Sequence, residues 1–223
     1  MSHDTNLSIA SRSTKNAMHF SSDPAPDLAR PLAAWTVPAS DPLKRLCDAI
    51  DAAFEQSADA ADPSQRAAFA SGVRAALAQA AADPTVLSPA QREGSSHTYR
   101  RHLLAADPQG RYAIAALVWQ CGQASPIHAH QTWCGYAVLE GSLTETVYDW
   151  CDTQQCASET RTHPRASGAV SFVRAGRGGI HRLGNTGKSV AVSLHIYGVD
   201  GSQIATHVND LLDVAQPAGQ ILA

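Results

Sequence analysis

The sequence is short of the features that would place it in several large protein classes. No apolar run reaches the roughly 18 residues of a membrane-spanning helix, and none near the N-terminus reads as a secretory leader. No block of like charges stands out. With 17 Lys and Arg against 20 Asp and Glu, and a formal net charge of −3, neither nucleic acid nor an anionic membrane surface is an expected partner. A phosphate-cradling P-loop, a Gly-x-Gly-x-x-Gly fingerprint and internal repeats are all missing. Cysteines are few and odd in number: Cys47, Cys121, Cys134, Cys151 and Cys156. A chain of 223 residues can bury a core without disulfide staples, so these thiols point to a reducing, cytoplasmic setting. The expected partners are a small molecule and, at most, a weak homo-oligomeric contact around a monomer.

What is present changes along the chain. Residues 1–40 are rich in Ser, Asp, Ala and Pro without a sustained period, and read as a flexible arm. Arg12, Lys15 and several serines also suit an organelle transit peptide, although no amphipathic face accompanies them. Residues 41–92 read as a helical segment. Asp41-Pro42 can start a helix with Leu43, Leu46, Ile50 and Phe54 at helical spacing. Asp62, Pro63, Ser64 and Gln65 suggest a second start with a capping box, and Ser88-Pro89 a third short turn. From about residue 97 short β-branched and aromatic segments follow, at 112–119, 135–139, 143–148, 170–173 and 190–197, with turn residues between them. This texture predicts a mainly β domain over 93–213, a β-sandwich or small barrel, with a tail at 214–223.

Ten histidines are a mild hint of metal chemistry, and three of them have informative spacing. His128 and His130 are two apart, so on a strand both face one side. Pro126 just before them suits the beginning of a strand. The pair alone fits two polar residues at a loop edge equally well. His181, some fifty residues later after a run that includes Gly178 and Gly179, offers a third imidazole on a facing strand. Three neutral imidazoles suit Fe, Zn, Cu or Ni.

With these residues the sequence becomes recognisable. Gly122, His128, His130 and Gly141 resemble the first motif of the cupins, and Gly178, His181 and Asn185 the second. The usual glutamate ligand of the first motif is missing, its place falling at Cys134 or Gly135. A three-histidine site without a carboxylate looks like the cysteine dioxygenase (thiol dioxygenase) family. The run from Tyr99 through Arg101 to Leu104 is similar to that family's substrate-arginine strand. The run from Leu139 to Trp150 resembles its strand after the ligands, and Ser193, His195 and Tyr197 resemble its Ser-x-His-x-Tyr relay. The match spans roughly residues 95–200, and the preceding helices fit the family's own. The arginine at position 101 resembles the bacterial arginine-type members.

The resemblance implies a cupin small β-barrel (jelly roll) preceded by α-helices, and an Fe(2+) cofactor on His128, His130 and His181. It implies that both atoms of O2 are added to the sulfur of a small thiol acid. Arg101 would hold the substrate carboxylate through its guanidinium fork, beside Tyr197. Ser193, His195 and Tyr197 would position a proton near the metal. Trp119 and Trp133 read as core or pocket wall, and Tyr148 and Trp150 as barrel packing. Arg100 and His102 should face away from the site. Animal members of the family carry a cysteine that links covalently to the relay tyrosine. Its place matches Gly135, and strand alternation puts neighbouring Cys134 on the opposite face, so a free phenol on Tyr197 is expected.

Arg101 favours L-cysteine as substrate and cysteine sulfinate as product; relatives with glutamine there prefer 3-mercaptopropionate. Mercaptosuccinate, with a second carboxylate, would need a second positive partner. Two readings of other classes compete. A Zn or Mn cupin isomerase or hydrolase would ordinarily keep the carboxylate ligand. A non-catalytic small-molecule-binding cupin leaves Arg101 and the relay residues without a role.

Overall fold

A computed structural model describes residues 42–214. The expected arm at 1–40, with Arg12 and Lys15, and the tail beyond 214 lie outside the described residues. Helix α1 (Pro42–Glu55) forms where Leu43, Leu46, Ile50 and Ala53 recur on one face, and all four are buried. Helix α2 (Ala67–Ala81) buries Phe69, Val73, Ala76, Leu77 and Ala80 in the same way. Its start differs from the expectation. The Asp62 carboxylate accepts from the Ser64 amide and hydroxyl, but closes only a 3₁₀ turn over Pro63–Gln65. Arg66 is extended, and α2 begins after it without a side-chain cap. The reaching-back glutamine of a capping box occurs instead at Ser88, whose amide donates to Gln91 Oε1 at 2.9 Å.

The strands are β1 (Arg100–Ala106), β2 (Ala113–Trp119), β3 (His128–His130), β4 (Cys134–Glu140), β5 (Ser142–Cys151), β6 (Cys156–Ala166), β7 (Val170–Val173), β8 (Gly176–Gly184), β9 (Ala191–Tyr197) and β10 (Asn209–Leu211). They form two five-stranded antiparallel sheets, β1-β2-β9-β4-β7 and β10-β3-β8-β5-β6. Residues 176–184, which carry His181, form a strand at the centre of the second sheet. The chain crosses between sheets at Gly141. Its φ is +69°, and a Cβ there would lie 2.8 Å from the Val190 carbonyl oxygen.

Strand alternation sorts the first sheet into two cores. Ile114, Ala116 and Val118 of β2 and Val192, Leu194 and Ile196 of β9 pack with α1 and α2. Ala113, Ala115, Leu117 and Trp119, with Ala191 and Tyr197, face the second sheet. Both faces of β2 and β9 are therefore covered, and every residue in them is buried. That double coverage is why these strands read as continuous apolar runs rather than alternating ones. Trp133 belongs to the helix side, edge-on to Phe69 at 5.1 Å and stacked near Phe172 at 5.8 Å. No helix among the described residues is long and apolar enough to cross a membrane. The architecture is the mainly β small barrel of cupin type with N-terminal helices that the resemblance implied.

Candidate metal centre

Between the sheets, His128, His130 and His181 come together. On β3 the two-residue spacing turns His128 and His130 to the same side, and β8 places His181 directly opposite His128. The ring centroids are 4.7 to 5.1 Å apart, all three residues are buried, and one nitrogen from each falls within 4.8 Å of the others. The outward nitrogens of two of them are committed elsewhere. His128 Nδ1 lies 2.9 Å from the Pro126 carbonyl oxygen, and His181 Nδ1 lies 2.7 Å from Glu145 Oε1. Both partners accept, so both Nδ1 atoms carry the proton and Nε2 is left as a lone-pair donor. Burial, then the neighbouring His181 and His130, holds His128 well below its ordinary pKa. Burial and His181 likewise bring His130 down to about 3. Three buried imidazoles converging in one cleft fit one divalent transition metal.

The first sheet supplies the opposite wall. Ser193, His195 and Tyr197 alternate along β9 and all turn inward. Ser193 Oγ is 2.8 Å from His195 Nε2. Trp119 Nε1 donates to the same hydroxyl at 2.9 Å. An indole N–H can only donate, so Ser193 accepts from Trp119 and its own proton stays available to His195 Nε2. Burial, with the Arg101 charge second, keeps His195 well below its ordinary pKa. His195 and Tyr197 are stacked near-parallel, with centroids 5.7 Å apart.

Arg101, on edge strand β1, lines the same cavity. Its guanidinium donates to the Ile204 carbonyl at 3.2 Å and sits 5.9 Å from the Tyr197 ring centre. Arg100 and His102 turn away as expected, Arg100 beside Glu93 at 3.8 Å and His102 against the Glu93 carbonyl at 2.8 Å. Asn185, from the second motif, is a buried pin rather than a cavity group. It donates to the carbonyls of Trp119 and Ser189. Trp119 is both wall and hydrogen-bond donor. Tyr148 packs with Ile180, while Trp150 lies under the Arg177 guanidinium at 3.8 Å.

The structure corrects the assignment of faces around Cys134. Cys134 is buried, lines the cavity and pairs directly across from Tyr197. Gly135 faces the other way, where a Cβ would lie 2.9 Å from Leu77 Cδ1 and 3.0 Å from Val73 Cγ1 of α2. A one-residue shift in reading β4 inverts every side chain. The ground for excluding a Cys134–Tyr197 thioether therefore falls. Burial raises the Cys134 thiol far above its usual pKa, so it is neutral.

Sequence reading gave no site role to Tyr99, stacked on Trp119 at 4.4 Å, or to Tyr136 and Asn209, which also line the cavity, nor to Glu145 behind His181. Tyr136 stacks on His195 at 5.4 Å. Asn209 lies on β10, which pairs with the ligand strand, Asn209 opposite His130 and Leu211 opposite His128. Glu145 had a readable sign. It occupies an inward position between Leu143 and Val147 on an amphipathic strand, where a carboxylate is out of place.

Residues 93–208 match the family model described as Cysteine dioxygenase type I. Cysteine dioxygenase type 1 of Danio rerio is 30% identical over 108 residues, covering 45% of this chain and 51% of that protein. The enzyme of the same name from Rattus norvegicus is 30% identical over 106 residues, again covering 45% and 51%. The chain thus spans about half the length of the curated relatives it matches. Among solved structures, TT1209 from Thermus thermophilus aligns at a TM-score of 0.40 with 19% identity, over 51% of this chain and 96% of that one. A Klebsiella pneumoniae protein with a double-stranded β-helix domain aligns at 0.39 with 13% identity, over 54% and 94%. The family match covers more than half of the chain and contains all three clustered histidines, so this protein belongs to the cysteine dioxygenase type I family.

Proposed function

We infer that the protein is an Fe(II)-dependent thiol dioxygenase that converts a small thiol carboxylic acid, L-cysteine first, to its sulfinic acid. The observation that carries this reading is the shared cavity: three converging imidazoles, Arg101, His195 and Tyr197 line one cleft, with Ser193 bonded to His195 behind the wall. The reaction R–SH + O2 → R–SO2H balances without an external reductant, so no second cofactor site is needed.

A ferrous ion held by His128, His130 and His181 would supply the redox chemistry that joins O2 to sulfur. The protein supplies the rest. Arg101 is the one Arg or Lys side chain among the described residues lining the cavity. A single fork suits a substrate with one carboxylate, which favours L-cysteine or 3-mercaptopropionate over mercaptosuccinate. Anchored there, the substrate directs its thiol toward the histidine triangle. Tyr197, between Arg101 and His195, offers a phenol proton to the bound acid or its oxidised product. Burial and the Arg101 charge keep His195 neutral, so it does not repel the metal, and Ser193, itself bonded to Trp119, holds its ring in place. Leu117, Leu183 and Trp119 keep the walls apolar.

Oxygen-electrode assays of iron-loaded protein, with sulfinate product quantified, test the reading. Uptake should match sulfinate formation and be fastest with L-cysteine. Absence of thiol-dependent uptake with L-cysteine, 3-mercaptopropionate and mercaptosuccinate alike would overturn it.

A further inference from the structure

Glu145 answers a question that the three-histidine site raises. Neutral imidazoles alone leave a dication uncompensated in a buried cleft, yet burying a charge without a partner is costly. Glu145 is buried behind His181, on β5. Strand register brings it there: Val147 pairs with His181, and Glu145 sits diagonally two residues away on the same side. Its Oε1 accepts from His181 Nδ1 at 2.7 Å. Its Oε2 lies 3.2 Å from His163 Nε2, directly across on β6, and 3.6 Å from Arg165 Nε. The carboxylate is thus held from both oxygens and aimed at one ligand. The ligands are not equivalent: His128 is backed by a backbone carbonyl, and among the three only His181 is backed by a full negative charge.

We propose that Glu145 is the positioning residue of the metal centre, an outer carboxylate that holds His181 with Nε2 inward and lends its charge to the bound cation. The inference rests on the three-histidine site binding a metal, but not on which thiol is oxidised. A carboxylate accepting the far N–H of a ligating imidazole fixes its tautomer and ring plane and makes the near nitrogen a better donor. In effect the carboxylate missing from the ligand set stands one bond further out. Arg165 limits the cost of burying it, since its guanidinium lies beside Glu145 and over the Tyr136 ring at 5.4 Å.

The test uses Zn(II) and Co(II) as probes on the full chain. Glu145→Gln keeps the shape and an acceptor oxygen but removes the charge; Glu145→Ala removes both. Competition titration with Zn(II) should show affinity falling on the order of 10- to 100-fold for Glu145→Ala, with Glu145→Gln between it and wild type. The visible d–d bands of the Co(II) proteins should shift in the same order, a change that loss of general stability would not cause. Wild-type affinity and unshifted bands in both folded variants would overturn the proposal. A measurement on the unmutated chain covers the case in which the variants misfold. In 15N-histidine spectra of the Zn(II) protein, one ligand's Nδ1 proton should resonate well downfield of the others, as a bond to carboxylate requires. Three equivalent Nδ1 protons would also overturn it. If wild type binds neither metal, the metal-site reading fails together with this one. If it binds metal but takes up no O2 with any thiol, only the dioxygenase reading fails.

Discussion

At the scale of single residues, direction of hydrogen bonding does most of the chemical work. Arg101 is the one Arg or Lys on the described cavity wall, and a hydrogen bond to a charged group contributes about 1.5–3 kcal/mol. Arg101→Gln should therefore lower kcat/KM for L-cysteine on the order of 10- to 100-fold. The loss should be smaller for a thiol lacking a carboxylate, which steady-state assays across a thiol series would show. Ser193 sits between the Trp119 indole N–H, which can only donate, and His195 Nε2. Ser193→Ala leaves Trp119 Nε1 and His195 Nε2 buried without that partner. The expected cost is about 1–3 kcal/mol in urea unfolding, with a fall in kcat larger than any rise in KM. Cys134 faces Tyr197 across β4 and β9, where directly opposed Cβ atoms lie about 4.5–5.5 Å apart. Intact-mass measurement after turnover with iron, thiol and O2 should show a fraction lighter by two hydrogens, as a thioether with O2 as the oxidant demands. Cys134→Ala should show none.

Elements matter here through the faces they turn to each other. Sheet β1-β2-β9-β4-β7 is sealed by two helices, and the seal requires close approach at Gly135. Gly135→Val would push against Leu77 and Val73 and should destabilise by about 1–3 kcal/mol through overpacking, read as a lower urea midpoint. A second tie joins α1 to the turn after β1. Arg111 donates to Asp107 at 2.7 Å and to Asp51 of α1 at 2.5 Å. Burial alone would raise the Asp107 pKa, but the hydrogen bonds and charge of Arg111 bring it below its ordinary value. A folded pKa below the unfolded one, about 3.9, means stability is fully present above that pH and is lost as pH falls through the folded value. Asp107→Asn should thus cost about 1–3 kcal/mol at pH 7. The gap to wild type should close as urea melts are repeated below about pH 4.

On the scale of the whole molecule, folding assembles the metal site from separate stretches of chain. His128 and His130 come from β3, His181 from β8, and the strand that flanks β3 on its other side is β10. The unfolded chain offers no such triangle, so a metal that binds it stabilises the fold by mass action. A free concentration 100 times Kd is worth about 2.7 kcal/mol. Calorimetry should show Tm rising with added Fe(II) or Co(II) under anaerobic conditions and falling to a metal-independent value with chelator. His181→Ala should make the two traces coincide.

Much of this was legible in the sequence because it rests on local rules. A two-residue spacing puts His128 and His130 on one face of any strand, and the helical spacing of Leu43, Leu46 and Ile50 defines the buried stripe of α1. The mainly β class followed from short strands and turn residues. Other features depend on which strand lies beside which, and strand neighbours are set by the packing of the whole sheet. Cys134 was put on the wrong face because alternation is relative, and only the pairing with Tyr197 anchors its phase. β10 is too short to show a period, yet its register with β3 brings Asn209 into the cavity wall. Glu145 stands 36 positions from His181 in sequence and 2.7 Å from it in space. Sequence alone could pair His128 with His130, because spacing along a strand is a property of the chain, and reached His181 through its motif. Only the tertiary structure could say which of them a carboxylate supports, because that contact exists only once β5 and β8 lie side by side.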